Sequence, residues 1–327
     1  MLLDTLDRQL LDLLQQAFPL LPTPFARLGQ QLNVDQDAVL ARIRRLKDEG
    51  IIRQIGPIFD SRRLGYRSTL AAFQVKPERL DEVAGRVSEH PGVSHNYSRA
   101  HTYNLWFTLT LPAEQDLEGE ISRLAAESGV DDYLNLPATH TFKIGVRFDL
   151  SGDRSHTPVT REPPSSAPVT ALSSFERDLV RALQGHLPLV ERPFQEAANR
   201  LGITEEELLD AVQELARRGV MRRFGAVLRH RRVGFTANGM ACWVVPEDRI
   251  VEAGKAAATF SQVSHCYRRP AYPPRWPYTL FTMVHGQKQE ETEEVVHRIH
   301  QAIGPVEHTI LYSLKEYKKE RVRYFVD

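Results

Sequence analysis

The sequence has little that would tie it to a disulfide scaffold, a membrane or a nucleic acid. Its 327 residues include two cysteines, Cys242 and Cys266, too few for a disulfide framework or a cysteine zinc cluster. No apolar run approaches the ~20 residues needed to span a bilayer. The 42 basic and 42 acidic side chains cancel, so overall charge gives no attraction to nucleic acid or to a membrane surface.

The first eight residues are acidic and amphipathic, so the sequence predicts no signal peptide. We therefore expect a cytoplasmic protein that does not bind a membrane. A hydrophobic fraction of 42% over 327 residues is enough for two or more globular cores.

What the chain does contain is an internal duplication. Pairs at an offset of 169 residues are Pro24 with Pro193, Gly50 with Gly219, and Gly65 with Gly234. The offset becomes 170 at His95 and His265, and 175 at Tyr103 and Tyr278. The five extra residues fall in a proline-rich loop of the second half, so that loop is particular to this half.

Each repeat begins with the pattern of a winged helix-turn-helix. In the first copy, Leu6, Leu10 and Leu14 form an apolar stripe with helical spacing. Further helices are predicted near 24–32 and 36–48, followed by Gly50 and a wing strand at 51–59. The second copy runs in the same manner from Phe175 through Gly219 to Leu228.

Each wing is followed by a β-α-β-β-α-β pattern, which indicates a ferredoxin-like layer. In the first copy, strands are predicted near 68–75, 92–99, 103–111 and 138–148, with helices near 78–89 and 114–128. In the second copy, the strands are near 236–245, 262–269, 278–285 and 307–325, with helices near 247–260 and 287–302. The predicted fold class is α+β, a tandem repeat that forms an intramolecular pseudo-dimer.

These patterns divide the chain into five segments. The winged helix-turn-helix units are predicted at 1–60 and 175–229, and the ferredoxin-like domains at 61–150 and 230–327. Residues 151–174 hold four prolines among serine, threonine and charged residues, which predicts an extended linker.

The stretch 263–278 is the most informative part of the chain. It opens with Val263, His265, Tyr267 and Arg269 in one strand parity, so these side chains are predicted to share a face. The first half holds a twin set, Val93, His95, Tyr97 and Arg99. A simple core would prefer apolar residues on a buried face, so the repeated His-Tyr-Arg pattern favours a functional site.

The stretch then closes with a loop of four prolines. These restrict the backbone that presents Tyr272, Arg275, Trp276 and Tyr278. A stiff loop with aromatic and cationic side chains would suit a flat, carboxylate-rich ligand.

A winged helix-turn-helix followed by βαββαβ resembles the Lrp/AsnC family of ligand-responsive regulators. Five stretches resemble a narrower branch, the siroheme decarboxylases, with the two related subunits fused in one chain. They are Val-Ser-His-Asn-Tyr at 93–97, Tyr-Asn-Leu-Trp-Phe-Thr at 103–108, Arg-Phe-Gly-Ala-Val-Leu-Arg-His-Arg at 223–231, Val-Ser-His-Cys-Tyr-Arg-Arg-Pro at 263–270 and Trp-Pro-Tyr-Thr-Leu-Phe-Thr-Met at 276–283.

The resemblance implies that the chain removes carboxyl groups from two acetate side chains of siroheme, giving didecarboxysiroheme. In the family this reaction lies on routes to heme d1 or, by an alternative pathway, to heme, and a fused chain is more similar to the heme d1 branch. No cofactor is expected beyond the iron-containing tetrapyrrole substrate, because the macrocycle can act as the electron sink. Homo-oligomerisation and hand-over to other tetrapyrrole enzymes are further expectations.

Such a substrate requires cations for its carboxylates, flat faces for its ring and an acid that protonates the carbon left by carbon dioxide. Catalytic candidates are His265, favoured because imidazole titrates near neutral pH, then Tyr267, His230 and His95. Substrate-binding candidates are Arg99, His101, Trp106, Arg231, Arg232, Arg268, Arg269, Tyr272, Arg275, Trp276 and Tyr278.

The iron of the substrate offers a further role for histidine. His95, His101, His230 and His265 are all candidate axial ligands, and the sequence does not assign one. A ligand and a proton donor need opposite chemistry at the same nitrogen, so one histidine is not expected to do both at once.

Several candidates have a structural alternative. His95, Tyr97 and Arg99 would be the structural half of an asymmetric pair if only the second site works. The segment 230–232 follows the wing and has the composition of a solvated turn, and its counterpart at 61–63 lacks the histidine. Cys242 and Cys266 are expected to be packing residues.

The competing function is a DNA-binding regulator that senses a small molecule or heme. Its recognition helices would need cations facing phosphate. Residues 205–214 of the second repeat carry five acids and no base, whereas the first repeat mixes Arg42, Arg44 and Arg45 with aspartates. We therefore expect no DNA binding and a scaffold role for both units. A heme carrier would keep the arginines and aromatics without needing an acid.

Overall fold

The first winged helix-turn-helix of the computed structural model follows the predicted pattern closely. The structure describes residues 3–16, 18–145, 171–228, 237–286 and 288–326. The elements are α1 (Thr5–Gln16), α2 (Pro24–Leu32), α3 (Gln36–Asp48) and β1 (Ile52–Phe59). The Asp35 side chain accepts a hydrogen bond from the Ala38 amide at 2.7 Å, which caps α3. Gly50, with a φ of 72°, allows the turn into β1.

The first ferredoxin-like domain has two helices on one face of its strands. Its elements are β2 (Tyr66–Phe73), α4 (Leu80–Glu89), β3 (Val93–Arg99), β4 (Leu105–Pro112), α5 (Leu117–Glu127), β5 (Tyr133–Pro137) and β6 (His140–Ile144). The helices bury one apolar side against the sheet, in a core that includes Phe73, Phe107 and Ile121.

The second half repeats these elements. They are α6 (Ser174–Leu183), α7 (Gln195–Leu201), α8 (Glu205–Arg217), β7 (Met221–Leu228), β8 (Ala237–Trp243), α9 (Ile250–Ala258), β9 (Val263–Arg268), β10 (Leu280–Gly286), α10 (Gln289–Ile303) and β11 (His308–Lys319). Capping boxes at Ser173 and Thr204 begin α6 and α8. The predicted linker at 151–174 lies mostly outside the described residues.

The two halves exchange their last strands. The nine-stranded sheet has the order β5-β2-β4-β3-β11-β8-β10-β9-β6, with the 4-1-3-2 order of a ferredoxin-like layer in each half. β11 pairs with β8 of its own half and then with β3 of the other half. β6 of the first half pairs with β9 of the second. The strand ladders therefore join the halves.

This exchange also closes the sheet on itself. β5 and β6 lie at opposite ends of the strand order, yet only residues 138 and 139 separate them in sequence. The two ends of the sheet must therefore approach each other, so that the inner faces of the two layers surround a shared interior. That interior holds a core with residues from both halves, among them Trp106, Leu136, Trp276 and Phe281.

The helix-turn-helix units are joined as well. β1 pairs antiparallel with β7 in a separate two-stranded sheet. One apolar core contains residues of both units, including Phe25, Phe194 and Phe224, together with Tyr324 near the C-terminus. The α+β tandem fold and the intramolecular pseudo-dimer are confirmed.

Two details of the predicted strands are wrong. The fourth strand of the first layer is β5, which ends just before the predicted range 138–148, whereas the described part of that range holds β6 at the opposite edge of the sheet, because the chain crosses from one edge to the other. Val93 and Val263 do not share the face of the histidines that follow them, since both valines pack with the helices. The ladder register shifts between Val93 and His95, and again opposite His265, which reverses the parity.

No helix within the described ranges is long and apolar enough to cross a bilayer.

Trp276 tests the contribution of the shared interior to stability. Its side chain is fully buried between the halves, so we expect Trp276→Ala to lower the free energy of unfolding by about 3–5 kcal/mol in urea denaturation. Arg275→Ala in the same loop removes an exposed ion pair with Asp132 and should cost about 1 kcal/mol or less. Equal losses for the two variants would contradict a core role for the indole.

Candidate functional site

The paired His-Tyr-Arg sets face the shared interior from two strands. On β3, Tyr97 lies opposite Trp106 in the ladder with β4, and on β9, Tyr267 lies opposite Phe281 in the ladder with β10. Trp106 and Phe281 belong to the core between the layers, and directly opposed residues share a face. The structure therefore brings the two sets, one from each half, to the same interior.

A bulge brings a serine beside each histidine. In both strands the ladder register shifts at the serine, and a bulge can direct two successive side chains toward the same side. Ser264 Oγ lies 2.8 Å from His265 Nδ1, and Ser94 Oγ lies 2.9 Å from His95 Nδ1. Regular strand alternation would place each serine on the opposite face, which is why sequence reasoning missed them.

Burial keeps both imidazoles neutral in the substrate-free protein. It lowers the pKa of His95 to about 4, with a further contribution from the positive charges of Arg53 and Lys319. Burial lowers the pKa of His265 to about 3, helped by His285 and then by His95 of the other half. His95 is thus close enough to disfavour protonation of His265. Neither is a charged acid before substrate binds.

The tyrosines of the two sets remain protonated at neutral pH. Burial raises the pKa of Tyr267 and of Tyr97 above the ordinary value of a phenol. Tyr267 lies beneath the guanidinium of Arg269, whose Cζ atom is 4.8 Å from the ring centroid. Each phenol can therefore act as a neutral hydrogen-bond or proton donor.

The arginines of the two sets connect the halves. Arg99 Nη1 donates to the Leu311 carbonyl oxygen at 2.6 Å, and Arg269 Nη1 donates to that of Leu136. These carbonyls are themselves twins at the offset of 175 residues (311 − 136). Burial lowers the pKa of both arginines to about 10, so both stay charged at neutral pH. The Nε atom of each is buried and has no hydrogen-bond partner among the described residues.

Two further cations come from the wings. The positive charge of Arg53 on β1 depresses the pKa of His95, and that of Arg222 on β7 depresses the pKa of His265. Sequence reasoning missed this pair, although the offset of 169 (222 − 53) makes them twins and could have revealed them. Arg53 donates to the Lys319 carbonyl at 2.8 Å, and Arg222 pairs with the buried Asp60 at 2.8 Å.

The proline-rich loop contributes aromatic side chains to the core shared by the two halves. The Trp276 ring packs against Trp106, His101 and Tyr278 at centroid distances of 5.3, 5.3 and 4.8 Å. Trp106 and Trp276 are fully buried, so their faces pack against protein in this state. Tyr272 donates to the Asn135 carbonyl at 2.6 Å.

Other predicted residues lie away from the two sets. Arg268 has the parity opposite His265 and pairs with Glu247 at 2.5 Å. Arg275 pairs with Asp132 beside a shallow cleft of about 250 Å³ that also contains Glu118 and Asp131. This acidic lining disfavours a polyanion. His230, Arg231 and Arg232 lie outside the described residues, and the roles predicted for all these side chains stay predictions.

The arginines of α3 are held by other protein groups. Arg42 and Arg45 bind the buried carboxylate of Asp7 at 2.7 and 2.5 Å, and Arg44 donates to the Leu189 carbonyl of the second half. α8 keeps three acids in its first turn. The acids of α8 disfavour the binding of phosphate to that helix. Within the described ranges, no cluster of side chains is arranged to hold a metal ion.

Comparisons with known proteins agree with this organisation. The AsnC-like ligand binding domain matches residues 63–143 and 232–318, and the siroheme decarboxylase NirDL-like HTH domain matches residues 7–53 and 176–222. A siroheme decarboxylase of Hydrogenobacter thermophilus is 43% identical over 97% of this chain and 94% of its own length. The chain belongs to the siroheme decarboxylase family.

Two further relatives clarify the duplication and the site. The siroheme decarboxylase alpha subunit of Desulfovibrio desulfuricans is 46% identical, but the match covers 46% of this chain and 87% of that subunit. The crystal structure of the siroheme decarboxylase NirDL in co-complex with an iron-uroporphyrin III analogue has a TM-score of 0.75 and 39% identity, over 99% of this chain and 95% of that one. The predicted family is confirmed, and the decarboxylase is favoured over the regulator.

The buried histidines predict a pH-dependent stability. The imidazole of His95 has a pKa of ~6.5 in the unfolded chain and of about 4 in the folded protein. The contribution of neutral His95 to stability is therefore complete above pH 6.5 and is lost as the pH falls toward 4. Between pH 7 and pH 5 the free energy of unfolding should decrease in both proteins. We expect the decrease to be about 2 kcal/mol smaller in His95→Gln than in the wild type. Urea titrations at each pH measure this.

The matched control is His297→Gln, on the exposed face of α10. Its loss of stability over the same pH range should equal that of the wild type. A wild-type slope in the His95 variant would contradict the neutral, buried state of this imidazole.

Proposed function

We propose that this chain removes the carboxyl groups of two acetate side chains of siroheme in the interior between its ferredoxin-like layers. The observation that carries the proposal is the convergence of two His-Tyr-Arg sets, one from each half, in a member of the siroheme decarboxylase family. The siroheme decarboxylase NirDL has the same fold and was crystallised with an iron-uroporphyrin III analogue, which supports a tetrapyrrole substrate for this chain.

The cations around the histidines would hold the substrate carboxylates. The positive charges of Arg53 and Lys319 act on His95, and that of Arg222 acts on His265. Guanidiniums bind carboxylates through paired N–H donors, which gives orientation as well as attraction. The buried Nε atoms of Arg99 and Arg269 supply two further donors once a carboxylate reaches them.

The reaction breaks the bond between the acetate methylene carbon and its carboxyl carbon. Carbon dioxide leaves, and the electron pair remains on the methylene carbon, delocalised into the macrocycle. One proton must then be added to that carbon to give a methyl group. A reacting carboxylate in this interior is removed from water and destabilised relative to neutral carbon dioxide, while arginine holds the carboxylates that do not react.

The two imidazoles would divide the remaining tasks. Both are neutral in the free protein, and bound carboxylates raise the pKa of a neighbouring imidazole. Because a charged His95 disfavours protonation of His265, we propose that one imidazole gains a proton for transfer while the other stays neutral and can bind the substrate iron. Tyr267, with its raised pKa, is a neutral donor in the same interior.

The pathway context extends this proposal. We propose didecarboxysiroheme as product, on the route to heme d1 because the two subunits are fused, and no cofactor beyond the iron-containing substrate. A cytoplasmic location, homo-oligomerisation and hand-over to other tetrapyrrole enzymes stay predictions.

Anaerobic incubation of purified protein with siroheme, followed by mass spectrometry of the extracted tetrapyrrole, tests the activity. We expect the loss of two carbon dioxide molecules per macrocycle. His265→Ala should still bind siroheme, because cations hold its carboxylates, but should lose turnover by a factor of at least about 100. Unaltered siroheme with wild-type protein, together with sequence-specific retention of DNA, would favour the regulator instead.

Substitution of Arg53 tests the role of the wing cations. Arg53→Gln removes a charge beside His95, and we expect KM for siroheme to rise about tenfold, equivalent to ~1.4 kcal/mol. Arg53→Lys should recover part of the affinity. Arg123→Gln, on the exposed surface of α5, removes the same charge elsewhere and should leave KM unchanged. An equal effect of Arg53→Gln and Arg123→Gln would rule out a local contact.

A further inference from the structure

A hydrogen-bonded chain extends from His265 into the second half. Ser264 Oγ lies 2.8 Å from His265 Nδ1 and 2.7 Å from His285 Nε2, and His285 Nδ1 bonds to Asn238 Oδ1. Ser264 and Asn238 are buried. The other contact of Ser264 Oγ, with the Met283 carbonyl oxygen, is longer at 3.4 Å and therefore weaker.

The donor and acceptor of each hydrogen bond follow from the last atom of this series, the side-chain oxygen of Asn238. The amide oxygen of Asn238 can only accept, so His285 carries its proton on Nδ1 and leaves Nε2 with a lone pair. Ser264 has one proton, and His285 Nε2 must receive it. The serine oxygen is then the acceptor toward His265, whose Nδ1 must carry the proton.

We propose that Ser264, His285 and Asn238 are positioning residues that hold His265 as the Nδ1–H tautomer with an unprotonated Nε2. The lone pair of Nε2 lies on the far side of the ring from Ser264. It is thus available to a group bound in the interior, and an imidazole nitrogen of this kind is the usual ligand of iron.

The described residues of the first half do not form an equivalent series of hydrogen bonds. The positions equivalent to Asn238 and His285 are Ser68 and Thr110, at offsets of 170 (238 − 68) and 175 (285 − 110). Their hydroxyl groups bond to each other at 2.7 Å, and neither residue has an imidazole to extend the chain. Among the residues that the structure describes, the side-chain hydrogen-bond partner of His95 is its neighbour Ser94, at 2.9 Å. A hydroxyl can donate or accept, so Ser94 alone imposes no tautomer on His95.

This asymmetry gives the two histidines different tasks. The inference rests on the proposed function and refines it. His265 holds a fixed lone pair suited to the substrate iron, whereas His95 is free to take a proton and return it to the carbon that has lost carbon dioxide. His265 therefore acts as the ligand rather than as the resting proton donor.

Nitrogen-15 NMR of histidine-labelled, substrate-free protein tests the tautomer directly, with His265→Gln used to assign the signals. We expect a protonated Nδ1 and an unprotonated Nε2 on His265. Ser264→Ala should convert these signals to a mixture of tautomers, and Ser264→Thr should restore them. Asn238→Asp should preserve them, because a carboxylate can only accept. Ser94→Ala is the matched control and should leave the signals of His265 unchanged.

Turnover provides the functional readout. Ser264→Ala should lower kcat about tenfold, as expected for loss of a partner that orients a ligand, and Ser264→Thr should recover most of it. A protonated Nε2 on His265 in the wild type, or an unchanged tautomer in Ser264→Ala, would overturn the inference. Because the NMR measurement needs no substrate, a failure of decarboxylation is distinguishable from a failure of the tautomer assignment.

Discussion

The exchange of last strands between the halves is the constraint on which the rest of this structure depends. β11 runs from its own layer into the ladder of β3, and β6 reaches the ladder of β9. Each histidine strand therefore has one neighbour from its own half and one from the other. The pairing closes the sheet and turns both His-Tyr-Arg sets toward one interior. Separate layers would leave these polar faces in water.

Burial in that interior determines the chemistry of the site. It depresses the pKa of His95 and His265, raises that of Tyr267, and leaves Arg99 and Arg269 charged but each held by a carbonyl of the opposite half. The site thus combines neutral imidazoles with fixed positive charge, which suits a polyanionic ring that must be bound first and protonated afterwards. The helix-turn-helix units contribute through their wings, which bring Arg53 and Arg222 to the same histidines.

Duplication supplied two similar halves, and small differences made them unequal. The proline-rich loop exists only in the second half and inserts Trp276 between the layers. Asn238 and His285 extend the hydrogen bonds of His265, while their counterparts Ser68 and Thr110 bond only to each other. A pseudo-symmetric fold can therefore assign different tasks to equivalent histidines without any change in topology.

The sequence by itself determined the duplication, the helices and nearly all the strands, because apolar periodicity and glycine or capping residues act over short distances. It also identified the His-Tyr-Arg pairs. Only the tertiary structure decided that 133–144 forms two strands at opposite sheet edges, that bulges turn Ser94 and Ser264 toward the histidines, and that Trp106 and Trp276 are buried. Strand partners, bulges and burial depend on residues far apart in the chain, and no local pattern encodes them.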